Sequence, residues 1–230
     1  MTGLEQTRRI PSSLEVDRAE RALIPLAAML AALAGLVDAI GFLAFGHVFL
    51  ASPEVNATVV GTNLQGSYRL ALFAGAMVLS FVGGVVLITL VTHRMTRFRR
   101  TVVLLATTLA LAAAYGAFGA DIAFMPAILL AMAMGGAHCI FERDNPQLQE
   151  SMSPSAQIAR FGEALAGRRA GANPRQIGLH ASFWLAFLIG GLAGAGAWMA
   201  VEGGALVLAA GISGLLALRT WLIERDLLPA

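Results

Sequence analysis

Residues Leu70–Thr92 read LALFAGAMVLSFVGGVVLITLVT, a run of 23 residues without a charged side chain. A helix needs about 20 apolar residues to cross the hydrocarbon core of a bilayer. The apolar residues are continuous rather than alternating, which favours a helix over a strand of a membrane barrel. This stretch therefore predicts a transmembrane helix.

The same pattern recurs along the chain. Five further runs are long and apolar enough to span a bilayer: Ala22–Gly46, Thr101–Ala120, Ile122–Phe141, Ile177–Val201 and Gly203–Leu222. Of the 230 residues, 57% are apolar and only 13% are charged, whereas a soluble domain carries about 25% charged residues. We predict an all-α, polytopic membrane bundle of six transmembrane helices, and we exclude a soluble enzyme, a disordered protein and a secreted disulfide scaffold.

These runs also divide the chain into regions. A polar arm at 1–21 precedes a single transmembrane domain at 22–222, and a tail follows at 223–230. Polar excursions at 47–69 and 142–176 interrupt the domain. The first apolar run has 25 residues, which exceeds the apolar core of a cleaved signal peptide, so we expect it to remain as a span.

The arginines indicate the orientation. All 16 basic residues are arginines, and 15 of them fall in the arm, around 93–100, in the second excursion and near the C-terminal end. Only Arg69 lies in a linker on the other side. Because positive loops stay inside, we expect both termini in the cytoplasm. Sharp turns at Asp121 and Glu202 predict tight hairpins of the third and fourth, and of the fifth and sixth, spans.

The two halves of the chain, about 22–120 and 122–222, resemble each other. Each has a span, a polar excursion and two more spans. In the first half Val60-Gly61-x-x-Leu64 precedes a span with Phe81-Val82-Gly83-Gly84. In the second half Phe161-Gly162-x-x-Leu165 precedes a span with Leu188-Ile189-Gly190-Gly191. Three spans is an odd number, so the second half would be inverted relative to the first. The alternative is a chance match between glycine-rich apolar segments.

One motif points to a family. Gly35–Gly46 reads GLVDAIGFLAFG, and Phe49, Asn56, Thr58 and Gly61 follow it without a gap. This pattern resembles the opening signature of the YoaK-type family, small bacterial membrane proteins of unassigned activity. The resemblance implies a fold of six spans and a membrane location, and it implies no function.

The chain departs from that family pattern at polar positions. Glu54 and Val55 stand where the family has Ser or Thr followed by Gly, and Gly135 and Gly136 stand in the fourth span where it has Gln-Asn. If those polar positions form a site in the relatives, this chain has altered part of it.

Asp38 is the ionisable residue deep in the first span. A carboxylate in lipid is costly, so it should face the bundle interior, a partner or water. One interpretation is a residue that couples transport to a proton or cation or lines a polar pathway. The other is a hydrogen-bonded Asp that fixes helix packing.

Further polar candidates for a substrate or ion pathway are Asn56, Thr58 and Asn63 in the first excursion and His138 in the fourth span. The first excursion has two interpretations, a re-entrant half-helix that aims backbone N–H groups at a substrate or a surface loop or interfacial helix. In the second excursion, Ser155–Ala166 has the periodicity of an amphipathic interfacial helix.

Small residues predict close helix packing, with the structural glycines being Gly83, Gly84, Gly190, Gly191 and Gly194. The motif Gly211-Ile-Ser213-Gly214 resembles a serine-protease form, but we expect no histidine at the depth of Ser213, so helix packing explains it better. We expect no catalytic residue, no metal site and no cofactor.

Three functions stay open, of which the last, a membrane enzyme, lacks the nucleophile–base pair or clustered ligands that it would need. The first is a small transporter or channel for an unidentified solute, with Asp38 and Asn56 beside one cavity bounded by the first, second, fourth and fifth spans. The second is a membrane scaffold or partner-binding protein without catalytic activity. The expected partners are the lipid bilayer and a second copy in a homodimer, with no nucleic acid.

Overall fold

In the computed structural model the described residues are 13–143, 146–167 and 174–227, and these contain helices and no β-strand. The helices are α1 (Ser13–Ala44), α2 (Pro53–Asn63), α3 (Tyr68–Thr92), α4 (Arg99–Gly119), α5 (Met125–His138), α6 (Pro146–Gln149), α7 (Pro154–Gly167), α8 (Pro174–Val201) and α9 (Gly204–Leu227). Residues 13–21 of the predicted arm extend α1, and 223–227 of the predicted tail extend α9. The remaining arm and tail residues, 1–12 and 228–230, lie outside the described residues.

Five helical segments are long and apolar enough to cross a membrane: Ala22–Ala44, Tyr68–Thr92, Arg99–Gly119, Arg175–Val201 and Gly204–Arg225. The all-α class and the multi-pass, membrane-type character are therefore confirmed. The predicted fourth span, Ile122–Phe141, is a shorter apolar helix over Met125–Phe141. The prediction of six spans depends on this helix.

The turn before α5 explains why that helix is short. Asp121 and Phe124 adopt left-handed backbone conformations, with φ of 55° and 60°, which interrupts helical geometry. Pro126 occupies the first turn of α5, where a proline is tolerated because its missing N–H would have no helical partner. The α-helix can therefore begin only at Met125.

Four helix pairs make the main contacts among the long helices and α5. Helix α1 packs along α8, α3 packs along α5, and α4 packs along both α5 and α9. The two shorter helices lie against these pairs, α2 on α3 and α7 on α8. The sharp turn at Glu202 is present, with φ of 44°, but α9 makes its main contact with α4 rather than with α8.

Glycines set the distance in two of these pairs. Gly35, Gly190 and Gly194 lie where α1 and α8 touch, and a Cβ atom on any of them would overlap the backbone of the partner helix. Gly84 and Gly135 occupy the corresponding place between α3 and α5. Lipid provides no hydrophobic drive between helices, so this backbone contact supplies dispersion energy that larger residues would prevent.

Only three of the five predicted structural glycines lie in close contacts between helices. Gly84, Gly190 and Gly194 have the expected close contacts, and Gly191 has only an ordinary one, with the carbonyl oxygen of Gly35 3.6 Å from an added Cβ. Gly83 faces open space, with no atom within 4 Å of an added Cβ, because a helix turns by about 100° per residue and Gly84 takes the contact position.

Polar groups hold one end of the bundle together. The carboxylate of Glu224 on α9 accepts a hydrogen bond from the Thr101 hydroxyl at 2.6 Å and from the backbone N–H groups of Arg100 and Thr101 at 3.2 and 3.3 Å. These N–H groups belong to the first turn of α4, which has no partners within its own helix. The Arg99 side chain donates to the carbonyl oxygen of Cys139 at 2.9 Å, where α5 ends.

Gly84→Ala should destabilise the protein by about 1–3 kcal/mol, because the new methyl group forces α3 away from α5. Gly83→Ala is the matched control, and we expect it to be neutral or slightly stabilising because its methyl group meets open space and alanine favours a helix. The measurement is thermal unfolding of the detergent-purified protein. Equal melting temperatures for the two variants would contradict the close packing of α3 on α5.

Candidate functional site

Asp38 lies near the C-terminal end of α1, and its side chain is buried. Its Oδ1 atom accepts hydrogen bonds from the backbone N–H groups of Leu50 and Ala51 at 2.7 and 2.6 Å. Its Oδ2 atom accepts a hydrogen bond from the Ser52 hydroxyl at 2.5 Å. The carboxylate therefore binds the non-helical chain that connects α1 to α2.

Asn56, on the first turns of α2, holds the same connection from the other side. Its amide oxygen accepts from the Phe49 N–H at 2.9 Å, and its amide nitrogen donates to the Phe49 carbonyl oxygen. Asp38 and Asn56 thus satisfy backbone groups within residues 49–52, called the 49–52 segment below. Backbone that leaves a helix in apolar surroundings needs such partners, because hydrocarbon offers none.

A groove of about 500 Å³ opens beside Asp38. Its lining includes Asp38 and Ser52, the rings of Phe42, Phe49 and Phe187, and Pro154 of α7. The walls are α1, α8 and the 49–52 segment. The first and fifth spans therefore border the groove as predicted, but the second and fourth spans contribute none of the described residues that line it. Asn56 does not line this groove, because its side chain is turned toward Phe49.

The other predicted pathway residues lie apart from the groove. Thr58 is exposed on α2, and the Asn63 amide donates to the Val59 carbonyl oxygen of its own helix at 2.9 Å. His138 contacts the Met134 carbonyl oxygen at 3.0 Å through Nδ1, and its ring meets the Phe81 ring edge-on at 5.0 Å between centroids. Glu54 is within electrostatic range of both Asp38 and His138.

A second polar cluster joins α7 to α8. Gln157 is fully buried, donates to the Glu150 carbonyl oxygen at 2.8 Å and contacts His180 Nδ1 at 2.9 Å through its amide oxygen. Nearby on the surface, Arg160 donates hydrogen bonds to the carboxylate of Glu150 and to that of Glu163, and these bonds raise the pKa of Arg160 above its usual range. Gln157 was not among the predicted site residues, although it follows Ser153-Pro154 just as Asn56 follows Ser52-Pro53.

Several other polar groups of the spans have structural partners, whereas the buried hydroxyl group of Thr220 on α9 has no hydrogen-bond partner within the described part of the chain. Ser213 Oγ lies 2.9 Å from the Thr108 hydroxyl and donates to the Leu104 carbonyl oxygen at 3.4 Å, so it links α9 to α4. Among the described residues no group of three or more His, Cys, Asp and Glu side chains could hold a metal ion. The Cys139 sulfur lies 3.8 Å from the Thr89 hydroxyl.

Comparison with protein families gives one assignment. The model described as "Protein of unknown function (DUF1275)" matches residues 26–219, which is most of the chain. The chain belongs to the DUF1275 family. This result confirms the YoaK-type resemblance, since YoaK is a DUF1275 member. Comparison with curated proteins gave no match, and comparison with solved structures gave none either.

The DUF1275 match covers the residues that build the candidate site. Asp38, the 49–52 segment, Asn56, His138 and Gln157 all fall within residues 26–219. The family description states no function, so the role of each residue stays a prediction that rests on its geometry in this structure.

Asp38→Ala should release the 49–52 segment, because it leaves two buried backbone N–H groups without acceptors, at about 1–3 kcal/mol each. Asp38→Asn should keep the segment in place, since its amide oxygen still accepts both N–H groups and its NH₂ group donates to the Ser52 hydroxyl. The measurement is amide hydrogen exchange of a peptide containing residues 49–52 in the detergent-purified protein. Equal protection in the wild type and Asp38→Ala would refute the anchoring role.

Proposed function

We propose that this DUF1275 protein is a small-solute transporter of a bacterial inner membrane, built from two halves of opposite orientation. Both termini lie in the cytoplasm, Met125–Phe141 crosses the bilayer as a sixth span, and two copies form a homodimer. The protein carries out no catalysis and needs no cofactor. The observation that carries this proposal is the agreement between two helix pairs that each join one half to the other, α1 with α8 and α3 with α5.

The glycine contacts repeat with constant spacing. Between α3 and α5, Gly84 packs on Met132 and Gly135 packs on Phe81; between α1 and α8, Gly190 packs on Ala32 and Gly35 packs on Phe187. Positions on α5 follow those on α1 by 100, and positions on α8 follow those on α3 by 106. Gly190 therefore corresponds to Gly84 in this proposal, and the motif match in the sequence, which paired Gly190 with Gly83, is one residue out of register. A two-fold relation between the halves requires each contact to have such a counterpart, and all four contacts obey it.

The polar excursions support the same relation. Asn56 donates to the carbonyl oxygen of Phe49, and Gln157 donates to that of Glu150. In each case the amide bonds to a residue seven positions earlier, and the two sets of residues are 101 positions apart. Helices α2 and α7 are therefore equivalent elements in this proposal, each one anchored by an amide side chain.

Inverted halves are typical of secondary transporters, whose sites lie where helices are interrupted. Here the chain is interrupted between α1 and α2, beside Asp38. The proposed six spans require Met125–Phe141 to cross, and its 17 residues are at the lower limit for crossing a bilayer. The arginine distribution supports a cytoplasmic position for its C-terminal end.

One observation favours the scaffold alternative. Asp38 already accepts three hydrogen bonds from the 49–52 segment, which is the arrangement expected of a purely structural carboxylate. In that case Asp38 would keep α2 in place and no solute would cross the protein.

The topology can be tested by labelling single cysteines. Cys139 is the only cysteine, so Cys139→Ala provides the background for Thr62→Cys on α2 and Ala166→Cys on α7, both exposed. In intact cells a membrane-impermeant maleimide should label Thr62→Cys alone, and both sites should react after permeabilisation.

Labelling of both cysteines in intact cells would contradict the proposal, because α2 and α7 share one side if α5 does not cross. Labelling of Ala166→Cys alone would keep the inverted halves and reverse the predicted orientation.

Transport can be tested in proteoliposomes with panels of cationic, anionic and neutral solutes. We expect uptake of at least one solute above that of protein-free liposomes. Asp38→Asn should lower this uptake by roughly tenfold, equivalent to about 1.4 kcal/mol in the transition state, with its melting temperature unchanged. Absence of uptake by folded wild-type protein for every charge class would favour the scaffold.

A further inference from the structure

The groove beside Asp38 is large enough for an organic molecule. Its volume of about 500 Å³ lies within the range of about 300–1,000 Å³ that is typical of ligand pockets. Gly35 and Gly191 have no side chains, so backbone atoms of α1 and α8 form part of its wall. Phe42, Leu43 and Val55 at its edge are 38%, 44% and 37% exposed, so the groove opens on an apolar surface that a bilayer would cover.

Among the described residues, the carboxylate of Asp38 in the groove has no cationic partner. The ion pairs of the described side chains involve Glu142, Glu224, Glu150 and Glu163, and none of them includes Asp38. A carboxylate offers about four lone-pair sites. The 49–52 segment fills two on Oδ1 and one on Oδ2, which leaves one site on Oδ2 for a ligand.

Three aromatic rings line the groove that contains this carboxylate. Phe42 and Phe49 pack against each other with centroids 5.6 Å apart, and Phe187 lines the opposite wall on α8. The faces of such rings attract cations, and this attraction is stronger where water is excluded. A carboxylate beside three aromatic rings is therefore complementary to a positive charge that carries an apolar body.

We propose that the groove binds lipophilic organic cations, and that these are the substrate class of the transporter proposed above, on which this inference rests. A small metal cation does not suit the groove, because it needs about six oxygen ligands and Asp38 and Ser52 are the polar side chains among the lining residues. An anion would be repelled by Asp38. The ligand enters from the bilayer, where such cations accumulate, past Phe42 and Leu43.

The test uses two ions of nearly the same shape and opposite charge, tetraphenylphosphonium and tetraphenylborate. Equilibrium dialysis of the full-length protein in detergent should give saturable binding of tetraphenylphosphonium and none of tetraphenylborate. Asp38→Asn, which keeps the 49–52 segment in place, should weaken tetraphenylphosphonium binding by roughly tenfold or more. Equal binding of both ions, or unchanged binding by Asp38→Asn, would overturn the proposal.

A second pair of variants keeps the test decisive if Asp38→Asn unfolds. Phe42→Leu removes an exposed ring from the groove and should weaken tetraphenylphosphonium binding by roughly threefold. Phe124→Leu is the matched control, since Phe124 is 63% exposed and is not among the lining residues. Equal effects of the two changes would overturn the assigned site.

Binding and transport can fail separately. Saturable, Asp38-dependent binding of tetraphenylphosphonium without its uptake into proteoliposomes would support the site and count against the transporter. Uptake of other solutes without tetraphenylphosphonium binding would support the transporter and overturn this assignment of the substrate class.

Discussion

The hydrogen bonds between Asp38 and the 49–52 segment answer a constraint that every membrane protein meets. Hydrocarbon cannot bond a backbone N–H group, so a chain that leaves a helix within apolar surroundings needs acceptors from the protein itself. Asp38 supplies two such acceptor contacts and Asn56 supplies another. With these hydrogen bonds in place, the chain can turn from α1 into α2. The 49–52 segment then forms one wall of the groove, and Asp38 gives the groove its negative charge.

Close backbone contact also determines how two of the helix pairs pack. Where α1 meets α8 and α3 meets α5, glycines allow carbonyl groups of one helix to approach the backbone of the other. The contacts of one pair recur in the other pair with constant spacing, although the side chains differ. Under the proposed relation between the two halves, Asp38 of α1 would correspond to His138 of α5. Asp38 holds the following segment, whereas His138 bonds to its own helix.

Composition and periodicity were sufficient to predict the helical membrane fold, because a run such as Leu70–Thr92 has only one stable state in lipid. The buried position of Asp38 could also be predicted, since a carboxylate within an apolar run is costly to expose to lipid. Its partners could not be predicted, because the N–H groups of Leu50 and Ala51 belong to the backbone and leave no signal in the side chains. The choice between Gly83 and Gly84 depends on helix rotation, and the late start of α5 depends on the turn conformations of Asp121 and Phe124.

The contact of Glu224 with the first turn of α4 has a consequence for biosynthesis. Glu224 is made 123 residues after Thr101, which takes on the order of ten seconds at the usual rate of elongation. During that interval the N-terminal N–H groups of α4 lack their final acceptor. The contact between α4 and α9 therefore forms late in synthesis, and water must satisfy these N–H groups until Glu224 arrives.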